Sequence, residues 1–274
     1  LTQGKAFTAY VDLMSMYQKV LITHPKCIQF HFMEEGNSAY MAQDDLNDLT
    51  WEGLFRGVSF RENGFLNKSF YQSLIRVLRG FNYRLLQMPY HYMAYTNFKN
   101  LKFFCFSTNA FYNAPVSKKI CVRPSPQDSL VNRLSHNIAL KEEIIWIDGA
   151  NARYTGLPDS YYHEAIERAL TILKEKIGLN KKLYLKLRPG ISGKAIKSNY
   201  LVQAASNKGF EYEVLPSNIN LECLFVTSQN CKVVGVLTAA LEYAHTFGHE
   251  AFTIYNLFEK RPPTFFDRID GFWE

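Results

Sequence analysis

The sequence lacks any run of about 18 or more apolar residues, the length that a membrane-spanning helix needs. It shows no basic-then-apolar leader, so no signal peptide is expected. It has no C-x-x-C pair. Its five cysteines, Cys27, Cys105, Cys121, Cys223 and Cys231, are scattered and odd in number. That pattern argues against a zinc site and for free thiols in a reducing compartment. Basic residues never run beyond adjacent pairs, which speaks against a nucleic-acid-binding arm. Internal repeats and low-complexity tracts are absent, and none of the seven histidines sits in a nucleophile motif with serine or cysteine.

What remains is a chain of 274 residues with 47% hydrophobic content, enough for two domains of ordinary size. Lys and Arg number 31 against 25 Asp and Glu, a formal charge of +6. This mild excess suits a phosphate-bearing substrate, an anionic polymer or an anionic membrane surface, without choosing among them.

The spacing of Ala6, Tyr10, Leu13, Met14, Tyr17 and Val20 predicts a helix over 5–21. Residues 27–33 read as a strand that stops at Glu34-Glu35-Gly36. Helices are expected around 45–55 and 68–80, and strands at 101–106 and 119–122. The proline-containing stretch 124–137 reads as a linker. This divides the chain into an N-terminal domain over 1–136 and a C-terminal domain over 137–274. In the second, strands at 143–147, 182–187, 212–215, 232–236 and 251–255 alternate with helices at 159–177, 195–207 and 238–247; 219–226 fits either a helical turn or a strand. Such alternation predicts an α/β fold built on parallel sheets.

In open parallel sheets ligands bind beyond the carboxyl ends of the strands, so the residues just after each strand are the candidates. In Glu34-Glu35-Gly36, two adjacent carboxylates follow an apolar strand; burial and like charge can tune one of them to accept a proton. A solvated turn accounts for the same residues. Lys186-Leu187-Arg188-Pro189-Gly190 brings two cations to a tight turn, where an arginine fork can hold phosphate oxygens; an ordinary strand-to-loop junction also fits. Gly235 and Thr238 flank a strand-to-helix junction whose threonine caps the helix and whose amides can meet a phosphate. Pro216 and Glu222 bracket a polar loop that could meet a base or ribose, or make only its own turn bonds. Asp148-Gly149 reads either as the acidic partner of a ribose or as a plain turn.

Together these segments resemble the bacterial polysialyltransferases and their sialyltransferase relatives. That family is marked by an acidic-acidic-glycine motif, a later His-Pro motif after a strand, and a Ser/Thr pair opening the next helix. Glu34-Glu35-Gly36, with Ser38 and Tyr40, matches the first; Arg188-Pro189 and Leu237-Thr238 stand where the others belong. The resemblance implies two Rossmann-like domains of GT-B type, the N-terminal one incomplete. It implies an inverting transferase that moves sialic acid from CMP-sialic acid to a glycan acceptor, an anionic one being favoured. Glu35 would be the base, helped by Glu34. Arg188 would be the fixed charge at the leaving phosphate, with Lys186, Pro189, Gly190, Pro216, Glu222, Gly235 and Thr238 around the donor. No metal and no cofactor beyond the donor would be needed, and nucleic acid would not be a partner. The setting implied is the bacterial cytoplasm, peripheral to the inner face of the membrane, in capsule or lipooligosaccharide synthesis. Arg188 in the place of histidine leaves two alternatives open: another donor such as CMP-Kdo, or a non-catalytic domain that binds a nucleotide or glycan.

Overall fold

The structure, a computed structural model, describes residues 4–12, 16–40, 75, 78, 79, 92–149, 158–178, 180–188, 191–236 and 238–259. It divides into two compact units, Leu1–Val122 and Arg123–Glu274. Each contains a parallel sheet with helices, so the α/β expectation holds. The division falls ahead of the expected one at 136/137, because the supposed linker carries structure of the second unit. Ser129–Leu134 forms a helix (α2), N-capped by Asp128, and it packs on a later helix of that unit.

Among the described residues the first unit has four parallel strands in sequence order: β1 (Phe7–Val11), β2 (Cys27–Met33), β3 (Phe103–Cys105) and β4 (Lys119–Cys121). The helix expected over 5–21 is in fact β1 followed by the short α1 (Met16–Ile22). The reason lies in Phe-Thr-Ala-Tyr-Val, aromatic and β-branched residues that favour strand. Ala9 and Val11 are buried while Thr8 and Tyr10 are exposed, the period-2 alternation of a half-covered strand. Phe32, Phe103, Phe111, Tyr92 and Tyr95, each no more than 1% exposed, form the core on the covered face. The Phe32 and Phe103 rings stack at 5.7 Å. The expected helix at 45–55 lies outside the described residues; of 68–80, only Ile75, Leu78 and Arg79 are described, and the first two are helical.

Among the described residues the second unit holds five parallel strands: β5 (Ile144–Ile147), β6 (Leu183–Lys186), β7 (Tyr212–Val214), β8 (Lys232–Gly235) and β9 (Glu250–Thr253). Their order across the sheet is β7-β6-β5-β8-β9. Between them run α3 (Asp159–Ile177), α4 (Lys194–Lys197), α5 (Tyr200–Asn207), α6 (Leu221–Thr227) and α7 (Ala239–Thr246). Ile144, Trp146, Leu183, Leu185 and Val234 share one core with α3 and α5. Ile145, Ile147 and Val233 alternate with them and are also buried, so both faces of the sheet are covered. The run 219–226 resolves as helix, because Asn220 caps it by accepting a hydrogen bond from the Cys223 amide.

The strand order fixes where a ligand can enter. From β5 the chain steps one way to β6 and β7, then returns to the other side of β5 for β8 and β9. The connections that follow β5 and β8 therefore lead to opposite sides of the sheet, and carboxyl ends at such a switch point are where open parallel sheets bind ligands. Asp148-Gly149, Val236 and Thr238 stand at that point.

Candidate functional site

At the carboxyl end of β2 the two glutamates have different surroundings. Glu34 is half-buried, and both of its carboxylate oxygens are engaged. Oε1 accepts from the Tyr40 hydroxyl and Oε2 from the Phe106 amide at 2.7 Å. Its backbone amide donates to Phe104 at 2.8 Å. Glu34 thereby ties the turn Gly36–Tyr40 to the loop after β3, and Gly36 supplies the positive φ of 55° at which that turn begins. Glu35 is exposed. The pair thus divides into one carboxylate fixed within the fold and one presented at its surface. The side chain of Ser38 lies outside the described residues.

In the second unit the edge is organised around Asp148. Its Oδ1 accepts from the Tyr162 hydroxyl of α3 at 2.9 Å, its Oδ2 from Asn199 Nδ2 at 3.0 Å, and its amide donates to Lys186 at 2.9 Å. Burial, and then the Asp148 charge, push the Tyr162 phenol well above its usual pKa, so it stays a donor. Asn199 also caps α5, Oδ1 accepting from the Val202 amide at 3.3 Å. This is why the helix expected over 195–207 breaks into α4 and α5. Asp148 is a junction of the fold, with both oxygens occupied.

Lys186 is 6% exposed. Its ammonium donates to the Ser217 carbonyl at 2.8 Å and the Leu187 carbonyl at 3.3 Å, and burial lowers its pKa. It secures the loop after β7 from beneath, as a positioning cation. Arg188, two residues on, is half-buried and forms no ion pair among the described residues. Its charge reaches Tyr162 electrostatically, which sets it beside the Asp148 junction. Pro189, Gly190 and Leu237 lie outside the described residues.

Thr238 caps α7, its hydroxyl accepting from the Ala240 amide at 3.3 Å. Gly235 relieves crowding at the junction. A Cβ there would meet Thr238 Cγ2 at 3.2 Å and Leu241 Cδ2 at 3.5 Å. The first turn of α7 also carries Glu242, 7% exposed. Pro216 is half-buried and its carbonyl closes the turn to Ile219; Glu222, in the first turn of α6, is half-buried and its pKa is raised, chiefly by burial.

Sequence reasoning found these loops but missed the side chains that hold them. Tyr162 gave no local signal. Asn199 did, as a helix-capping residue type inside an apparent helix. It also missed a polar concavity of about 530 Å³ bounded by Arg133, His136 and Asn218. A second concavity, of about 410 Å³, is apolar; it lies between α3 and β8/β9 and involves none of the loops after β5, β6 or β8.

Among the described residues no group of three or more His, Cys, Asp or Glu is placed to hold a metal ion, and no helix is long and apolar enough to cross a membrane. Compared with models of known protein families the chain matches none, and it matches no curated protein sequence.

Proposed function

We propose that the protein is an inverting, sialyltransferase-like glycosyltransferase with two Rossmann-like domains of GT-B type, acting on a CMP-activated acidic sugar. The observation that carries this reading is the division of labour at Glu34-Glu35. Glu34 is committed to Tyr40 and Phe106 within the fold, while Glu35 is exposed, where an acceptor hydroxyl can reach it. In the reaction an acceptor hydroxyl attacks the anomeric carbon and gives its proton to Glu35. The bond from that carbon to the donor phosphate breaks, and its electron pair leaves on the phosphate of CMP. The doubly wound order of the second unit and the position of Arg188 at its carboxyl edge support donor binding there. Arginine cannot serve as a proton donor at ordinary pH, so Arg188 acts as a fixed charge on the leaving phosphate. The donor needs no metal in this scheme. The acceptor is an anionic glycan, consistent with the net charge of +6, and the enzyme works at the inner face of a bacterial membrane.

A transfer assay with CMP-sialic acid and an oligosialic acceptor tests the proposal. Glu35→Gln removes transfer while CMP binding persists; Arg188→Ala weakens CMP binding. Thermal shifts with CMP, UDP and GDP check the donor base, since a ligand bound only by the native state stabilises it. A shift with UDP or GDP alone points to another sugar nucleotide. The buried Glu242 in the first turn of α7 and Arg188 in place of histidine favour a second reading, a non-catalytic nucleotide- or glycan-binding domain. Donor binding without turnover under all acceptor conditions identifies it.

A further inference from the structure

We infer a separate oxyanion-binding site on the second unit, in the concavity between the end of α2 and the loop after β7. Six residues bound it: Ser129, Arg133, Leu134, His136, Asn137 and Asn218. Five bring hydrogen-bonding side chains and none is acidic. Its volume of about 530 Å³ falls in the range of small-ligand sites, roughly 300–1,000 Å³.

The two walls are fixed to each other and to the sheet. Ser129 and Arg133 lie one helical turn apart on α2, on a common face. The Asn220 amide donates to the Leu134 carbonyl at 3.0 Å, joining the end of α2 to the start of α6. Lys186 holds the carbonyl of Ser217, the residue before Asn218. The wall that carries Asn218 is thus anchored, one residue away, by a buried cation that does not line the concavity.

The turn after α2 is unusual. His136 and Asn137 both have left-handed backbone, with φ of 57° and 58°. Asparagine tolerates that region; consecutive non-glycine residues seldom occupy it. The turn is held there by the Asn137 amide on the Asn132 carbonyl at 2.8 Å and the His136 amide on Arg133 at 3.2 Å. Ser135, wholly buried, adds its hydroxyl on Asn132 at 3.0 Å. Among the described residues the side chains of Arg133, His136, Asn137 and Asn218 have no hydrogen-bond or ion-pair partner. The fold therefore fixes the turn and leaves its donors unspent.

A guanidinium fork flanked by imidazole, amide and hydroxyl donors suits a carboxylate or phosphate. Two sources carry that chemistry: the phosphate of a nucleotide and the carboxylates of an acidic glycan. The site is distinct from the Arg188 and Thr238 loops, and its existence does not depend on turnover.

The test is binding of inorganic phosphate, CMP and a short oligosialic acid to the full chain, with NMR of the Arg133 and His136 side chains and calorimetry. At least one probe should shift those signals, and Arg133→Gln should weaken that probe about tenfold, the loss of one charge-assisted hydrogen bond. The melting temperature should stay unchanged, because Arg133 is exposed. Loss for phosphate and CMP assigns the site to a nucleotide phosphate; loss confined to the oligosaccharide assigns it to the glycan. The inference is overturned if no probe moves these signals at millimolar concentration, or if Arg133→Gln and Asn218→Ala both bind every probe as the parent does.

Discussion

The side chain of Asn199 joins two elements at once: Oδ1 caps α5 at the Val202 amide, and Nδ2 donates to Asp148 Oδ2 at 3.0 Å. One side chain thus sets both where α5 begins and where the loop after β5 goes. Asn199→Ala removes both bonds and should cost about 1–3 kcal/mol. Asn199→Asp keeps the cap but sets two carboxylates together. It should be less stable than the parent at neutral pH and should recover part of the difference on acidification, as one carboxylate takes up a proton. Denaturant titrations at two pH values check both statements. Equal stability of Asn199→Asp and the parent at neutral pH would contradict the arrangement.

Lys186 is a positioning residue in this account. Lys186→Met leaves the Ser217 carbonyl without its donor, at a cost of about 1–3 kcal/mol, and frees the loop that carries Asn218. Amide hydrogen exchange should quicken across 217–220 while the β5 and β8 amides keep their protection. Unchanged exchange in that loop would return Lys186 to the role of a direct phosphate ligand.

His249 gives a pH dependence with a definite sign. Its Nδ1 accepts from the Cys231 amide at 3.2 Å and its Nε2 faces the Phe225 carbonyl at 2.8 Å, so the neutral ring with the proton on Nε2 satisfies both. Burial lowers its pKa below the ordinary value of 6.5. The unfolded chain then binds more protons than the native one between those two pKa values. Stability is complete above about pH 6.5 and declines as the pH falls from there toward the folded pKa. His249→Gln should flatten that segment of the stability profile. A profile identical to the parent's would show that another group carries the dependence.

The second unit was legible in the sequence because its strands are short, apolar and separated by helices of clear period. All five strands and α3 fall where the pattern puts them. The failures share a cause. In β1, a handful of residues satisfied the helical spacing as well as the alternating one, and their β-branched and aromatic character decided the outcome. In 124–137, prolines and polar residues suggested a linker, although Asp128 offered a helix cap. For the site, the loops were readable from the rule that ligands sit beyond the carboxyl ends of strands. The pairings that give them shape were not, since Asp148 meets a residue 51 positions away and Lys186 one 31 away. No local pattern encodes such contacts.

The central claim is that Glu35 is the base of a glycosyl transfer and Glu34 is a structural carboxylate. The most direct measurement is the rate of transfer from CMP-sialic acid to an oligosialic acceptor for the parent, Glu35→Gln and Glu34→Gln, each with its melting temperature. The account predicts that Glu35→Gln loses at least about 100-fold in rate, within the range for removing a general base, with a smaller fall in melting temperature than Glu34→Gln. Glu34→Gln should lower the melting temperature, because it weakens the bonds to Tyr40 and Phe106. Transfer by Glu35→Gln at the parent's rate would contradict it.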